Sequence, residues 1–436
     1  MKPQSKTTAE TEGGQVMLII SIFLLAGSFA IIGTLMVLVR SQIIVAHELS
    51  LSKASYILTE GALEDVVYRH KKALSVSATE SLTEGDITVQ TTTTNTPDGK
   101  IVLSVGNENG RIRKMETVLI EGDGAAFSFG VQTDNGGIIL ENNSSIDGNV
   151  YSNGSVTGSG LNLIKGTAIS AGPSGYITEV HATGSAYAHI IDSSRIDDDA
   201  FYTSIDIGTV VNGTKYPGFP DLATSSLPIP DTLIDSWAAF AESSNILTAE
   251  CVASGGHLVI DYDITLGPAK IPCDVTFEKF PDITISGVLW IVGDLEITQG
   301  PKFTIDPAIG NKSVPILVDD PANRLTSGRI IMSNSGVWTG NGSRSYLMLL
   351  SRNESAEQGG TEKAIILQNS NGGALLVYAG HGEINLQNNT DLTEITAYRV
   401  RLQNNTEVVY DTGLASAVFI AGPGGSYVID SWQEVQ

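Results

Sequence analysis

The chain opens with an apolar stretch that is not interrupted by any charged side chain from Val16 to Val39. At about 1.5 Å of rise per residue, a helix over these residues is ~36 Å long, which is enough to cross a ~30 Å hydrocarbon layer. A cleaved secretory signal has a shorter apolar core of about 7 to 15 residues that ends at an Ala-x-Ala-like site. This stretch is longer and ends at Arg40. The pattern therefore predicts a transmembrane helix over 16–39, preceded by a short cytosolic leader over 1–15.

A helical pattern continues beyond the apolar stretch, because residues 40–72 contain no proline. The spacing of Leu51, Ala54, Leu58 and Ala62 predicts an apolar stripe on one face of this helix. Asp65 and Arg69 form an acid-before-base pair four residues apart, which stabilises a helix. We expect an amphipathic stalk helix over 40–75, ending near residue 73.

The periodicity then changes from helical spacing to alternation. Between residues 86 and 121, short alternating runs are separated by Asp98-Gly99 and Asn109-Gly110, which are typical of hairpin turns. The pattern predicts three strands and a β-meander over 76–122.

From about residue 123 the chain consists of short apolar runs that end in Gly, Asn or Asp, and one phrase recurs. It reads LENNSS at 140, LQNSN at 367, and LQNNT at 386 and 402. A spacing of 16 to 19 residues is roughly one coil of a parallel β-helix. Stacked coils would place Leu386 over Leu402, with the asparagines forming a ladder of side-chain amides at the turns. The alternative is that the phrase is only a favoured turn sequence. We expect a right-handed parallel β-helix over 123–436, in a protein that is mainly β.

An interruption of this pattern lies at about 213–250, where a proline-rich segment precedes a helical pattern with Asp231 as a candidate N-cap. The segment is predicted to be an insertion that packs on the β-helix or caps it. Cys251 and Cys273 follow, and they are either a disulfide on adjacent coils or two buried thiols. The apolar C-terminal tail, including Trp432, is expected to form a final capping coil, since open solenoids need covered ends.

The formal charge of −23 repels phosphate backbones, and this excludes nucleic acid as a partner. The basic residues that flank the apolar stretch are balanced and do not orient it. The β-rich bulk after the stretch favours a single-pass protein of the cytoplasmic membrane with its bulk outside the cell.

Catalytic patterns are weak. The six histidines form no zinc-binding helical pair, and the chain has neither a Gly-x-Ser-x-Gly elbow nor a phosphate-binding glycine loop. Parallel β-helices can carry clustered carboxylates, so the candidates are the acidic runs 197–199 and Asp261 with Asp263. A solvated acidic face is the simpler interpretation. We expect no catalytic residue, no metal site and no cofactor.

The N-terminal region resembles that of PilX-type pilus-assembly proteins, which are related to type IV pilins. The resemblance covers about residues 10–75 and rests on Gly13-Gly14, the apolar helix behind them, its amphipathic continuation and TEGALEDVVYR. It implies prepilin cleavage between Gly14 and Gln15, and packing of the N-terminal helix against pilin-like subunits. Major pilins carry a glutamate at the fifth position after the cut, where this chain has Ile19, or Leu18 if the cut follows Gly13. The resemblance therefore implies a minor component.

Together these features predict a membrane-anchored, PilX-like component of a type IV pilus or related assembly. Its expected partners are the lipid bilayer, pilin-like subunits and a surface ligand. Its β-helix would serve adhesion or assembly. The alternatives are a membrane-tethered polysaccharide-active β-helix enzyme and a structural spacer of the cell envelope.

Overall fold

The computed structural model describes residues 12–71, 76–96, 99–108, 110–121, 123–125, 127–334, 336–342, 345–369, 373–411, 417–419 and 427–435. The chain divides into two compact units. Unit 1 comprises Met1–Ile120 and Ile429–Gln436, and unit 2 comprises Glu121–Val428. Asp98 and Asn109, the first residues of the two predicted turns, lie outside the described residues.

Unit 1 contains one continuous helix, α1, and an antiparallel sheet. The predicted transmembrane and stalk segments are parts of this single helix, which spans Glu12–Lys71. The three expected meander strands are present, and a further strand precedes them. The strands are β1 Thr79–Glu84, β2 Ile87–Thr96, β3 Gly99–Glu108 and β4 Arg111–Glu121.

The predicted apolar stripe of the stalk is confirmed only in part, because Ala62 is buried and Leu51 and Leu58 are half-buried, but the centre of the buried face lies elsewhere. Ala54 is exposed, whereas Ser55 and Thr59 are fully buried together with Leu63 and Val66. The reason is a close crossing of α1 and β3 at Gly106. A Cβ atom on Gly106 would lie 2.0 Å from Thr59 Oγ1. Small side chains therefore occupy the buried helix face, and their polarity concealed this face in the sequence.

The prediction for the C-terminal tail was also wrong, because the tail is not a coil of the β-helix. Residues Tyr427–Val435 form a strand next to β4 in the sheet of unit 1. Thr117 Oγ1 donates to the carbonyl of Ser431, and Arg113 binds Glu434, so the two strands run antiparallel. Trp432 belongs to this strand and not to a coil. The predicted 123–436 solenoid therefore ends before residue 427.

Unit 2 is a parallel β-helix with a helical segment between its two halves. The first half contains β5 Asp123–Ala125, β6 Val131–Glu141, β7 Ser144–Asp147, β8 Val150–Ser152, β9 Val156–Ser159, β10 Asn162–Ile164, β11 Ala168–Ser170, β12 Tyr176–Thr178, β13 His181–Ala182, β14 Ala186–Asp192, β15 Arg195–Ile196, β16 Ala200–Ile205, β17 Val210–Val211 and β18 Lys215–Pro217. The helices are α2 Asp231–Ser244, α3 Thr248–Ala253 and a 3-10 turn at Pro307–Ile309. The second half contains β19 His257–Ile260, β20 Ile264–Leu266, β21 Ala269–Ile271, β22 Asp274–Phe277, β23 Asp282–Ile285, β24 Leu289–Ile291, β25 Leu295–Thr298, β26 Lys302–Ile305, β27 Val314–Val318, β28 Ile330–Ser333, β29 Val337–Thr339, β30 Leu347–Ser351, β31 Ile365–Gln368, β32 Leu375–Gln387, β33 Asp391–Leu392, β34 Ile395–Gln403, β35 Glu407–Val409 and β36 Ala417–Phe419; the strand Tyr427–Val435 of unit 1 is β37.

The coils do not stack in chain order. The first half winds away from β6 towards β16 and β18, which pair in parallel. The second half begins at β19 and winds towards β6, because its last strands β34 and β35 pair in parallel with β6 and β7. The first coil of the unit therefore lies beside the last one, in the middle of the stack.

The interior consists of side chains that alternate inward along each strand. One row contains Leu367, Leu386, Leu402 and Leu140, which are in direct register across four adjacent strands. All four are fully buried. This confirms the predicted stacking of Leu386 over Leu402.

The predicted insertion connects the two halves, and α2 packs on the outer surface of the second one. Trp237 is fully buried there against Phe419. The expected N-cap was wrong, because Asp231 is the first residue of α2, the cap position is Pro230 and no side-chain cap is formed. The carboxylate of Asp231 instead binds His381.

Candidate functional site: the apolar helix and the stacked turns

The first part of α1 is exposed along its whole length. Every side chain from Val16 to Ser50 is exposed, including large apolar ones such as Phe23 at 75 %. Among the described residues, the helix Val16–Lys71 is the one long and apolar enough to cross a membrane. Burial of these side chains in water-free surroundings would be strongly favourable, because each large aliphatic side chain contributes about 1.5–3 kcal/mol.

The hydroxyl groups within this segment are satisfied by the helix itself. Ser21, Ser28 and Thr34 donate to the carbonyls of Met17, Leu24 and Ile31 at 2.8–2.9 Å. A hydroxyl without a partner is costly in hydrocarbon. These bonds remove that cost, so the whole segment from Val16 to Val39 suits a lipid environment.

Gly14 and Gln15, the candidate cleavage position, lie in the first turns of α1. Ile19 and Leu18, which stand where major pilins have glutamate, are 51 % and 63 % exposed. The cleavage itself stays a prediction.

Ion pairs mark the point where α1 changes from exposed to packed. The guanidinium of Arg111 binds Glu48, and this hydrogen bond lowers the pKa of the Glu48 carboxyl. Arg113 donates to Ser52 Oγ at 2.7 Å and binds Glu434 at 2.7 Å. The predicted pair of Asp65 and Arg69 is confirmed at 2.7 Å. The stalk is therefore fixed to β4 and β37 within unit 1.

The repeated asparagine phrase forms the predicted ladder on unit 2. Asn404 Nδ2 donates to Asn388 Oδ1 at 3.1 Å, and Asn142 Nδ2 donates to Asn404 Oδ1 at 3.2 Å. Asn143 Nδ2 donates to Asn405 Oδ1 at 2.6 Å. We call these five residues the asparagine ladder. All of them have φ between 49° and 65°, a left-handed conformation that asparagine tolerates better than most residues.

The cysteines are joined, but not between two coils. Cys251 lies in α3 and Cys273 directly precedes β22, and a disulfide connects them with a Cα–Cα distance of 5.8 Å. The disulfide thus links the short helix α3 to the coil that contains β22.

The acidic candidates have separate partners. Asp197 binds His181 and Arg195, Asp198 accepts from Ser185, and Asp199 accepts from the Thr214 amide. Asp261 and Asp263 lie in the turn between β19 and β20. Lys279 binds Asp261, and Asp263 accepts a hydrogen bond from the Asp282 amide. Within the described part of the chain, no group of three metal-binding side chains occurs.

Two charged clusters of unit 2 were not predicted by the sequence analysis. His381 lies between Glu357 and Asp231, at 2.6 and 3.0 Å. Burial lowers the pKa of His381, but the hydrogen bond to Glu357 and the charge of Asp231 outweigh it, and the pKa is raised. Glu383, which is 1 % exposed, binds Lys363 at 2.8 Å and lies 3.4 Å from both Arg399 and Arg401. The bonded partners in each cluster come from separate coils or lie 20 or more positions apart in the chain. Their spacing in the sequence therefore could not predict these contacts.

No protein-family model and no curated protein matches the chain. Among solved structures, it is similar to the competence-associated pilin ComZ from Thermus thermophilus, with 9 % identity over 89 % of this chain and 96 % of the other, at a TM-score of 0.29. It is also similar to an ice binding protein from an Antarctic biological consortium, with 10 % identity over 65 % and 87 % of the two chains and a TM-score of 0.22. A third is an ice binding protein from an Antarctic Flavobacteriaceae bacterium, with 9 % identity over 65 % and 81 % and a TM-score of 0.14.

Proposed function

We propose that this protein is a membrane-anchored, pilin-like component of a type IV pilus or related assembly, with a PilX-like role, and that it displays its β-helix outside the cell. The observation that carries the proposal is the division of α1. Its first part exposes a continuous apolar surface, and its second part packs on an antiparallel sheet. A helix of this kind is inserted in lipid at one end and carries a folded head at the other.

The length of the exposed segment supports a protein partner besides lipid. Residues 16–49 span about 50 Å at ~1.5 Å per residue, which exceeds a ~30 Å hydrocarbon layer. Ile43, Val45 and Leu49 remain 63–68 % exposed beyond the predicted span. Apolar side chains in this position are suited to packing against the helices of pilin-like subunits. Because Ile19 offers no carboxylate to such a neighbour, we assign a minor role in place of a fibre-forming one.

N-terminal sequencing of the protein purified from cell membranes tests the proposal. We expect the mature chain to begin at Gln15, and Gly14→Leu to block this processing, because a bulky side chain replaces the glycine at the cut. Gly27→Leu is the matched control, since nothing lies within 4 Å of its Cβ position and it is outside the leader. A mature chain that retains Met1 favours the plain envelope spacer.

The enzyme alternative makes a different prediction. A polysaccharide-active β-helix would release sugars or lower viscosity with a panel of polyuronates, and Asp261→Ala with Asp263→Ala would abolish this activity. The ion pair of Asp261 with Lys279 supports a structural role for this carboxylate. Unchanged polyuronate viscosity in the presence of the wild-type protein is the result that we expect.

A further inference from the structure

One face of the second half of unit 2 carries a regular row of hydroxyl groups. The strands β20, β23, β26 and β29 form a four-stranded parallel sheet. Thr265, Thr284, Thr304 and Thr339 are in direct register across it, and we call them the threonine row. Adjacent strands lie about 4.8 Å apart, so the hydroxyls repeat at this distance. All four side chains are half-buried or exposed.

The threonine row is not used by the fold. Within the part of the chain that the structure describes, none of its four hydroxyls forms a side-chain hydrogen bond, whereas Ser286, at the end of the same sheet, bonds to the carbonyls of Leu266 and Gly267. The inward neighbours, such as Ile283 and Phe303, supply the packing. A β-branched residue such as valine would serve the sheet equally well, so the hydroxyls are free to bind a ligand.

Two exposed aromatic side chains stand at the corner that leads into this sheet. Tyr262 precedes β20 and is 54 % exposed, and Phe280 precedes β23 and is 80 % exposed. Large exposed aromatic side chains on successive coils are characteristic of binding surfaces. They provide flat apolar faces beside a line of hydroxyls.

The charges around the threonine row are not balanced. Asp261 and Glu278 share Lys279 in the corner, and Asp282 lies 3.6 Å from Lys302 on the sheet. Asp263, which directly precedes β20, is exposed and adds a further negative charge. Anionic polymers are disfavoured on this face by repulsion, so hydrogen bonding and stacking with an uncharged polymer remain.

We infer that the threonine row, with Tyr262 and Phe280, binds a neutral polysaccharide chain. Sugar rings have an apolar face, which can stack on an aromatic ring, and hydroxyls around their edge, which can exchange hydrogen bonds with threonine. A polymer of repeating sugars matches a row that repeats from coil to coil. The inference names the ligand of the proposed surface contact, and it rests on the proposed function only in requiring that this face is displayed outside the membrane.

Affinity electrophoresis of the full-length protein in detergent tests the inference, with neutral glucan, soluble chitin derivative or alginate cast in the gel. We expect retardation by a neutral polymer and none by alginate. Thr284→Val with Thr304→Val should weaken the retardation about tenfold, as expected for two lost hydrogen bonds. Phe280→Ala should weaken it by a similar factor.

The matched control is Thr157→Val with Thr178→Val, an in-register threonine pair on another face, which should bind like the wild type. Thermal unfolding of each variant excludes misfolding as the cause of lost binding. Retardation by alginate alone, equal binding by all variants, or no binding to any neutral polymer overturns the inference. None of these results affects the N-terminal processing that tests the proposed function.

Discussion

At the scale of single residues, the asparagine ladder shows how one side chain serves two purposes. Asn404 holds a φ of 57° and shares amide hydrogen bonds with both Asn388 and Asn142. Asn404→Ala should lower the free energy of unfolding by about 2–4 kcal/mol, because it adds left-handed strain of roughly 1–2 kcal/mol and removes two hydrogen bonds. Chemical denaturation measures this loss.

Asn404→Gly separates the two effects, since glycine adopts a positive φ without strain. We expect it to recover roughly half of the loss seen for Asn404→Ala. Equal stability of the alanine variant and the wild type would show that the ladder contributes nothing.

A buried carboxyl group, Glu394, predicts a pH dependence. It is 0 % exposed, and burial raises the pKa of its carboxyl well above the usual range, while Thr396 donates one hydrogen bond to it. Because the folded pKa is raised, the carboxyl stabilises the fold below the unfolded pKa of about 4.5 and loses this contribution as the pH rises above it.

Glu394→Gln, which keeps the shape but cannot ionise, should therefore raise the Tm at pH 7 and leave it unchanged at pH 4. Glu407→Gln, at a half-buried carboxylate that pairs with Lys165 at 3.0 Å, is the control and should not raise the Tm at pH 7. A Tm of Glu394→Gln below that of the wild type at pH 7 would contradict the burial argument.

At the scale of elements, the crossing of α1 and β3 depends on the absence of a side chain at Gly106. Gly106→Ala places a Cβ 2.0 Å from Thr59 Oγ1 and 3.2 Å from the Ser55 carbonyl. We expect a loss of about 1–3 kcal/mol of stability, which thermal unfolding measures. Gly61→Ala, which meets nothing within 4 Å on the exposed helix face, should be neutral or slightly stabilising.

The second variant Thr59→Ala, combined with Gly106→Ala, removes the atom that clashes. The double variant should be more stable than Gly106→Ala alone. If the single and double variants unfold at the same temperature, the close crossing is not the cause of the loss.

The only two cysteines of the chain form the disulfide that holds α3. We therefore expect both cysteines to be oxidised in the cell. In protein isolated from cells under acid quench, alkylation should modify no cysteine before reduction and two after it. Cys251→Ser should lower the stability by about 3 kcal/mol, as expected for a bridge that closes a loop of this size. Two alkylated cysteines without reduction would contradict the disulfide and the oxidising location.

At the scale of the whole molecule, unit 2 is inserted between two strands that pair in unit 1. Strand β4 ends at Glu121 and strand β37 begins at Tyr427, and the two strands are neighbours in one sheet. The solenoid begins and ends in its central coils, where β6 pairs with β34. This topology explains how a solenoid can interrupt a small sheet without separating its strands.

Part of this organisation was predictable from the sequence. Hydropathy predicted the apolar helix, alternation predicted the meander, and the LQNNT phrase predicted the register of Leu386 and Leu402. The pairing of Asn142 with Asn404 was not predictable, because 262 residues separate them and the coils of the unit do not stack in chain order. The buried face of the stalk was missed because Ser55 and Thr59 are polar, and the tail was misassigned because a β-strand has the same pattern in either sheet.

We propose above all that the apolar part of α1 anchors the protein in the membrane and that unit 2 lies outside the cell. The most direct measurement is labelling of Leu161→Cys in intact cells with a membrane-impermeant maleimide, followed by an alkaline wash of the membranes. Leu161 is 77 % exposed, and the native cysteines are bonded to each other. We expect labelled protein that stays in the membrane pellet, and its release when 16–39 are deleted. Labelling only after cell lysis, or loss of the full-length protein into the wash, would contradict the account.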